Sequence, residues 1–176
     1  ALNGNPYGVA ITPDGTQALV TLEGEDQLAF MVLDNFSQTP FLLSVDASPR
    51  GVAVEPRGRY AYVGNFEEDT VSKIRLSGQT LVDTYEVGDG PMGLVAGYDE
   101  ELNAPVVYVA NHLDDSISII DDEGQTTIAN AGDGPTGLAI SPDGKTVYAA
   151  ITNEDNLGVI DTESIEITDT IAVGKE

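Results

Sequence analysis

The sequence Pro49-Arg50-Gly51-Val52-Ala53-Val54 has three counterparts in the chain, which begin at Pro6, Pro91 and Pro135. Each counterpart keeps the proline, the glycine two residues later and a short run of small and large apolar residues. The four prolines are 43, 42 and 44 residues apart. A fixed period of this length is typical of repeat architectures, in which each repeat is one supersecondary unit.

Each repeat contains four segments that are typical of β-strands, and no window follows the helical period of 3.6 residues. Four strands in about 43 residues is the size of one β-propeller blade. The first strand of each repeat is apolar on both faces, as a strand between two neighbouring sheets must be. We therefore predict an all-β propeller of four four-stranded antiparallel blades. The predicted blades cover about residues 1–47, 48–89, 90–133 and 134–176.

The innermost strands are predicted near residues 7–12, 50–55, 92–97 and 136–141. Their large side chains are expected to be almost fully buried between neighbouring sheets, namely Val9, Ile11, Val52, Val54, Leu94, Leu138 and Ile140. Four blades alone would leave the apolar faces of the first and last blades uncovered, a patch too large for a soluble monomer. We therefore expect a larger ring, completed by further blades of the same polypeptide or by a second copy.

Two segments, Tyr62-Val63-Gly64-Asn65 and Tyr108-Val109-Ala110-Asn111, resemble the YVTN-type β-propeller repeat. The turn Ser141-Pro142-Asp143-Gly144-Lys145 and the closing segment Val159-Ile160-Asp161-Thr162 resemble it too. The resemblance covers essentially the whole chain and implies the propeller fold. For function it implies a range, because that family includes cell-surface proteins and lactonase-like or quinoprotein-like enzymes.

The repeats have diverged at a few positions. Blade 1 has Leu19 where the others carry Tyr62, Tyr108 and Tyr148. Blade 2 has Arg75 where the next two blades carry an aspartate, Asp121 and Asp161. Blade 3 replaces the Pro-Asp-Gly turn with the longer, more acidic segment Tyr98–Ala104.

Charge restricts the choice of partners. The 176 residues include 30 Asp and Glu against seven Lys and Arg, a formal net charge of -23. Such a field repels nucleic acids and anionic membranes.

No apolar run is long enough for a membrane span, so no membrane insertion is expected. The chain has no cysteine, which excludes thiolate chemistry and c-type haem attachment. We expect an extracellular, cell-surface or periplasmic location.

The residue after each repeat proline is expected at the central opening, where a ligand could bind. These residues are Tyr7, Arg50, Met92 and Thr136. Arg50 could bind an anionic group of a substrate or form a structural ion pair. His112, the only histidine, follows the second strand of blade 3 and is a further candidate ligand-binding residue.

Each loop between the second and third strands carries two neighbouring acidic residues. Those of the last two blades, Asp114, Asp115, Glu154 and Asp155, are the candidate metal ligands. Carboxylates near a central opening could bind Ca²⁺, or they could simply suit solvated turns. No other cofactor is evident, and no catalytic motif is present. Two functions stay open: a non-catalytic binding or structural module with a protein partner, or the propeller domain of a lactonase-like or quinoprotein-like enzyme.

Overall fold

The computed structural model of the chain describes residues 4–35, 37–99, 103–121, 125–128 and 130–174. It contains four antiparallel sheets of four strands, as predicted. The first sheet consists of β1 (Pro6–Ile11), β2 (Gln17–Leu22), β3 (Gln27–Val32) and β4 (Phe41–Ser44). The second consists of β5 (Pro49–Val54), β6 (Tyr60–Asn65), β7 (Thr70–Arg75) and β8 (Thr80–Glu86).

The third sheet consists of β9 (Pro91–Asp99), β10 (Ala104–Asn111), β11 (Ser116–Ile120) and β12 (Gln125–Ile128). The fourth consists of β13 (Pro135–Ile140), β14 (Thr146–Ile151), β15 (Asn156–Asp161) and β16 (Glu166–Ala172). Each strand pairs with the next in the sequence, and the first strands of consecutive sheets contact one another. Each sheet is thus one blade, and its first strand lines the centre. No helix among the described residues is long and apolar enough to cross a membrane.

The Pro-x-Gly motif has a packing role. A Cβ placed on Gly8 would overlap the carbonyl oxygen of Arg50, which lies one blade further on. A Cβ on Gly51 would overlap the carbonyl of Met92, and one on Gly93 would overlap that of Thr136. The glycine of each motif therefore lets the innermost strand of the next blade approach closely.

The core consists of three apolar layers, one between each pair of consecutive blades. Leu19 and Leu28 of blade 1 pack against Val63 and Ile74 of blade 2, for example, and all four are fully buried. Most fully buried side chains come from the second and third strands of the blades rather than from the first.

The expectation that the seven large side chains of the innermost strands are almost fully buried was wrong. Val9 is 67% exposed and Ile11 is 59% exposed, because their face of blade 1 has no blade against it. The other five residues are only half-buried: Val52, Val54, Leu94, Leu138 and Ile140. Each packs against the edge of a layer, because the innermost strands border the central opening.

Candidate functional site at the central opening

Two residues from every blade lie at the end where the innermost strands begin. One follows the repeat proline, and the other follows the second strand. The second group consists of Glu23, Phe66, His112 and Thr152. Their backbone N–H groups bond the carbonyl that precedes the repeat proline of the same blade, as Phe66 does with Ser48 at 3.0 Å and His112 with Gly90 at 2.9 Å. The two groups are therefore held side by side.

Arg50 has the most defined environment at this end. Its Nε donates to Oε1 of Glu23 at 2.8 Å, which makes an ion pair between blades 1 and 2. Its guanidinium lies 3.4 Å from the centre of the Phe66 ring and 5.4 Å from that of Tyr7. The Ser48 hydroxyl donates to the same Glu23 oxygen at 3.3 Å. Stacking and the ion pair together fix the plane of the guanidinium.

The arginine is also positioned through its backbone. Thr21 Oγ1 accepts a hydrogen bond from Gly8 N and donates one to the Arg50 carbonyl, both at 2.7 Å. Within the described part of the chain, Glu23 is the one residue that accepts a hydrogen bond from the guanidinium, and this bond comes from Nε. Because the Arg50 side chain is 21% exposed, its two terminal nitrogens can bind a carboxylate or phosphate through paired hydrogen bonds.

The predicted group is only partly brought together. Tyr7 contacts Arg50 and is 47% exposed. The Met92 side chain is half-buried. Thr136 lies with Thr152, whose hydroxyl donates to the Gly134 carbonyl at 2.6 Å and lies 3.3 Å from Thr136 Oγ1. The opening is thus aromatic and charged near blades 1 and 2, and hydroxyl-lined at blade 4.

His112 is half-buried at the boundary between blades 3 and 4. Its Nδ1 is buried, and no described residue bonds it. A ligand-binding role for His112 stays a prediction.

The second acidic residue of the loops between the second and third strands has a structural role. Asp26 Oδ1 accepts from Ser48 N at 2.9 Å, and Asp69 Oδ1 from Gly90 N at 2.8 Å. Asp115 Oδ1 accepts from Gly134 N at 2.9 Å. Each aspartate thereby links its blade to the entry of the next. All three have φ between 52° and 54°, a region that aspartate tolerates better than most residues.

The other candidate metal ligands make local contacts. Asp114 accepts from Ser116 Oγ at 2.9 Å, and Glu154 accepts from Asp133 N at 3.0 Å. The backbone carbonyl of Asp155 accepts from Val173 N at 2.9 Å. No three His, Asp or Glu side chains in the described ranges are grouped so that they could hold a metal ion. The calcium site stays a prediction.

Sequence reasoning missed Glu23 and Phe66. Both occupy the position that follows the second strand, the position of His112 in blade 3. Comparing that position across all four repeats would have revealed an acid, an aromatic ring, an imidazole and a hydroxyl at one end of the blades. The side-chain contacts with Arg50 depend on how neighbouring blades pack, which the sequence does not specify.

Comparisons with known proteins give the family. The model of the family described as "Lactonase, 7-bladed beta-propeller" matches residues 5–172. Hydrazine synthase subunit beta of Kuenenia stuttgartiensis is 31% identical over 122 residues, which are 69% of this chain and 26% of that protein. The resemblance to YVTN-type repeats is supported at the level of the propeller fold.

Solved structures are similar over nearly the whole chain. The hydrazine synthase of Kuenenia stuttgartiensis superposes with a TM-score of 0.81 at 24% identity, over 97% of this chain and 52% of that one. A Bacteroides uniformis protein assigned as a 6-phosphogluconolactonase superposes with a TM-score of 0.74 at 21% identity, over 96% of this chain and 55% of that one. The chain spans about half the length of these structures, so its four blades match part of a larger ring.

Proposed function

Because the chain belongs to the Lactonase family of 7-bladed β-propellers, we propose that it forms part of a lactonase-like enzyme domain with its site at the central opening. The observation that supports this most is the geometry of Arg50. Its guanidinium is fixed by Glu23 and Phe66 at the central opening, with two nitrogens available to a ligand.

The proposed substrate is a lactone that also carries a carboxylate or phosphate. Arg50 would bind that anionic group through Nη1 and Nη2, and this contact would place the lactone ring over the opening. Hydrolysis also requires a group that removes a proton from the attacking water. His112 is the candidate, because imidazole is the commonest general base and this residue lies at the same end of the blades as Arg50.

The test is hydrolysis of 6-phosphogluconolactone and of uncharged gluconolactone by the purified protein. Arg50→Met should raise KM for the phosphorylated lactone by about 10- to 100-fold, because the variant loses a charge-assisted hydrogen bond to the phosphate. KM for the uncharged lactone should change little. Arg75→Met, which removes an exposed arginine at the end of β7, is the matched control. Absence of hydrolysis of both lactones by the unaltered protein would contradict the proposal.

A second candidate is a binding or structural subunit of a multi-subunit enzyme. The 31% identity to hydrazine synthase subunit beta favours it. A native complex heavier than the polypeptide itself, without lactonase activity, would support this candidate over the first. An extracellular, cell-surface or periplasmic location fits the charge of -23 and is part of both candidates. Immunodetection of the protein in fractionated cells tests the location.

A further inference from the structure

A cavity of 220 Å³ lies between blades 3 and 4, at the end of the blades opposite Arg50. One wall comes from the end of β9 and the start of β10, including Asp99 and Val106. Tyr108 and Asp121 of blade 3 also line it, and Thr162 belongs to the opposite wall from blade 4. For comparison, an apolar protein cavity of roughly 150 Å³ is large enough to hold benzene. A small organic molecule therefore fits.

The departure of blade 3 from the repeat builds this wall. β9 has nine residues and β10 has eight, whereas the first two strands of every other blade have six. The Pro-x-Gly turn sequence between the first two strands of the other blades is absent here, and β9 and β10 extend beyond the end of β11. The propeller fold does not require this extension, since three blades lack it.

The cavity has an acidic polar side. Asp99 and Asp121 contribute carboxylates, and no lysine or arginine is among the described residues that line it. Burial, opposed by the hydrogen bond with Thr162 and reinforced by these carboxylates, raises the pKa of Tyr108 to about 12. The phenol therefore stays neutral at physiological pH, and the negative potential that opposes its ionisation would attract a cation.

The boundary between blades 2 and 3 shows what such a position can hold. Tyr62 of blade 2 is the counterpart of Tyr108, and its cross-strand neighbour is Lys73. The ammonium of Lys73 lies 5.9 Å from the centre of the Tyr62 ring, 4.7 Å from that of Tyr60 and 3.3 Å from the Tyr85 hydroxyl. Blade 2 therefore supplies its own cation to the tyrosines.

Blade 3 has no counterpart of this cation. Ile119 is the cross-strand neighbour of Tyr108 and so occupies the place of Lys73, while Asp121 occupies that of Arg75. The arginines that contact Tyr98, Arg57 and Arg59, belong to blade 2 and are not among the residues lining the cavity. In blade 2 the side chain of Lys73 itself provides the cation beside the tyrosines. Blade 3 has an isoleucine there and an aspartate in place of Arg75, so the corresponding position is an acidic cavity.

We propose that this cavity binds a small organic ammonium compound, with its charged group near Asp121 and Tyr108 and its hydrocarbon part against Val106 and Ile119. This site lies at the opposite end of the blades from Arg50 and is independent of the proposed lactonase activity. Carboxylates stabilise the ammonium, and the tyrosine rings and aliphatic side chains cover its alkyl chain.

The test uses n-butylammonium chloride as the probe, with n-butanol and sodium butyrate at equal ionic strength as its neutral and anionic counterparts. Calorimetric titration of the purified protein should detect binding of butylammonium alone, and butylammonium alone should raise the thermal unfolding midpoint. Asp121→Asn should weaken binding by about tenfold or more, since it removes the charge that faces the ammonium. Asp34→Asn changes an exposed aspartate of blade 1 and should leave the affinity unchanged.

Ile119→Lys provides an independent check, because it gives blade 3 the residue that blade 2 has. The ammonium of the new lysine should occupy the cavity and abolish binding of the probe. If Ile119→Lys does not fold, the affinity of Asp121→Asn for the probe remains the test. Equal binding of butanol and butylammonium would overturn the proposal, as would equal effects of Asp34→Asn and Asp121→Asn. Absence of any titration signal with the unaltered protein would overturn it as well.

Discussion

Nε of Arg50 donates a hydrogen bond to Oε1 of Glu23 across the boundary between two blades, at 2.8 Å. The arginine that could bind an anion at the central opening is thus oriented by Glu23 of the neighbouring blade as well as by Phe66 of its own blade. Tyr7, which contacts the same guanidinium, also belongs to blade 1. The geometry of the candidate site therefore depends on how blades 1 and 2 pack together.

Removing the carboxylate of Glu23 should disturb substrate binding without unfolding the chain. Glu23→Ala frees the guanidinium to rotate, so KM for a phosphorylated lactone should rise by about tenfold, whereas the cost in stability should be about 1 kcal/mol or less for a partly exposed pair. Glu23→Gln keeps an acceptor and should have a smaller effect on KM. Lactone kinetics and urea unfolding measure the two effects. A KM in the Ala variant equal to that of the unaltered protein would contradict this role.

The buried layers predict that truncating Leu19 and truncating Val9, both in blade 1, will have very different effects on the free energy of unfolding. Leu19→Ala should cost about 2–5 kcal/mol of unfolding free energy, because Leu19 is fully buried against blade 2. Val9→Ala should cost about 0.5 kcal/mol or less, because Val9 is 67% exposed. Urea unfolding of both variants gives the comparison. A large loss in Val9→Ala would show that another blade or another copy covers this face in solution.

The fold was predictable to the level of strands because its signal is local. The Pro-x-Gly period places the start of each innermost strand within one residue of where it is found, since proline and glycine define turns and close contacts without help from the rest of the chain. Burial was not predictable in the same way. Val9 and Val52 look alike in the sequence, yet one faces open space and the other faces blade 1.

The site was predictable only in part, for the same reason. The position of Arg50 at the opening follows from its place after Pro49. Its partners Glu23 and Phe66 follow the second strands of blades 1 and 2, and their contacts with Arg50 depend on how these blades pack. The cavity near Tyr108 follows from a visible departure in blade 3, but its volume depends on how blade 4 packs against that blade.

The link from Asp69 to the next blade should be measurable. Asp69→Ala leaves the Gly90 N–H without its acceptor and places alanine at a φ of 54°, so the unfolding free energy should fall by about 2–4 kcal/mol. Asp69→Asn keeps an oxygen acceptor and tolerates this φ, so it should cost clearly less. Chemical unfolding of the two variants is the measurement. Equal losses would show that the hydrogen bond has little effect on stability.

Tyr108 should make stability fall at high pH. Its pKa is raised to about 12 in the folded chain from a reference value of 10.0. As the pH rises, the unfolded chain therefore releases this proton before the folded chain does. The contribution of Tyr108 to the free energy of unfolding is complete below pH 10 and is lost between pH 10 and about 12. Absorbance titration of the phenolate band should show a late step that disappears in Tyr108→Phe and persists in Tyr7→Phe. A late step that persists in Tyr108→Phe would contradict the assignment.

The net charge of -23 predicts that salt stabilises the chain. Carboxylates on a compact surface repel one another, and added ions screen that repulsion. The thermal midpoint should be higher in about 2 M than in about 0.1 M NaCl. The same comparison with KCl separates screening from specific effects of sodium. A midpoint that stays constant or falls in both salts would count against the prediction.

The contact between Pro-x-Gly motifs is heterologous, because each blade offers its glycine on one side and the carbonyl of its x residue on the other. A Cβ on Gly137 of blade 4 would meet nothing within 4 Å, whereas Gly8, Gly51 and Gly93 all face a carbonyl. A head-to-tail contact of this kind places no limit on the number of subunits by itself, and the rotation between neighbours decides when the ring closes. Replacing the glycine of this motif with a residue that has a side chain would therefore alter how neighbouring blades join. It could change the number of blades in the ring even where the blade that carries the substitution folds normally.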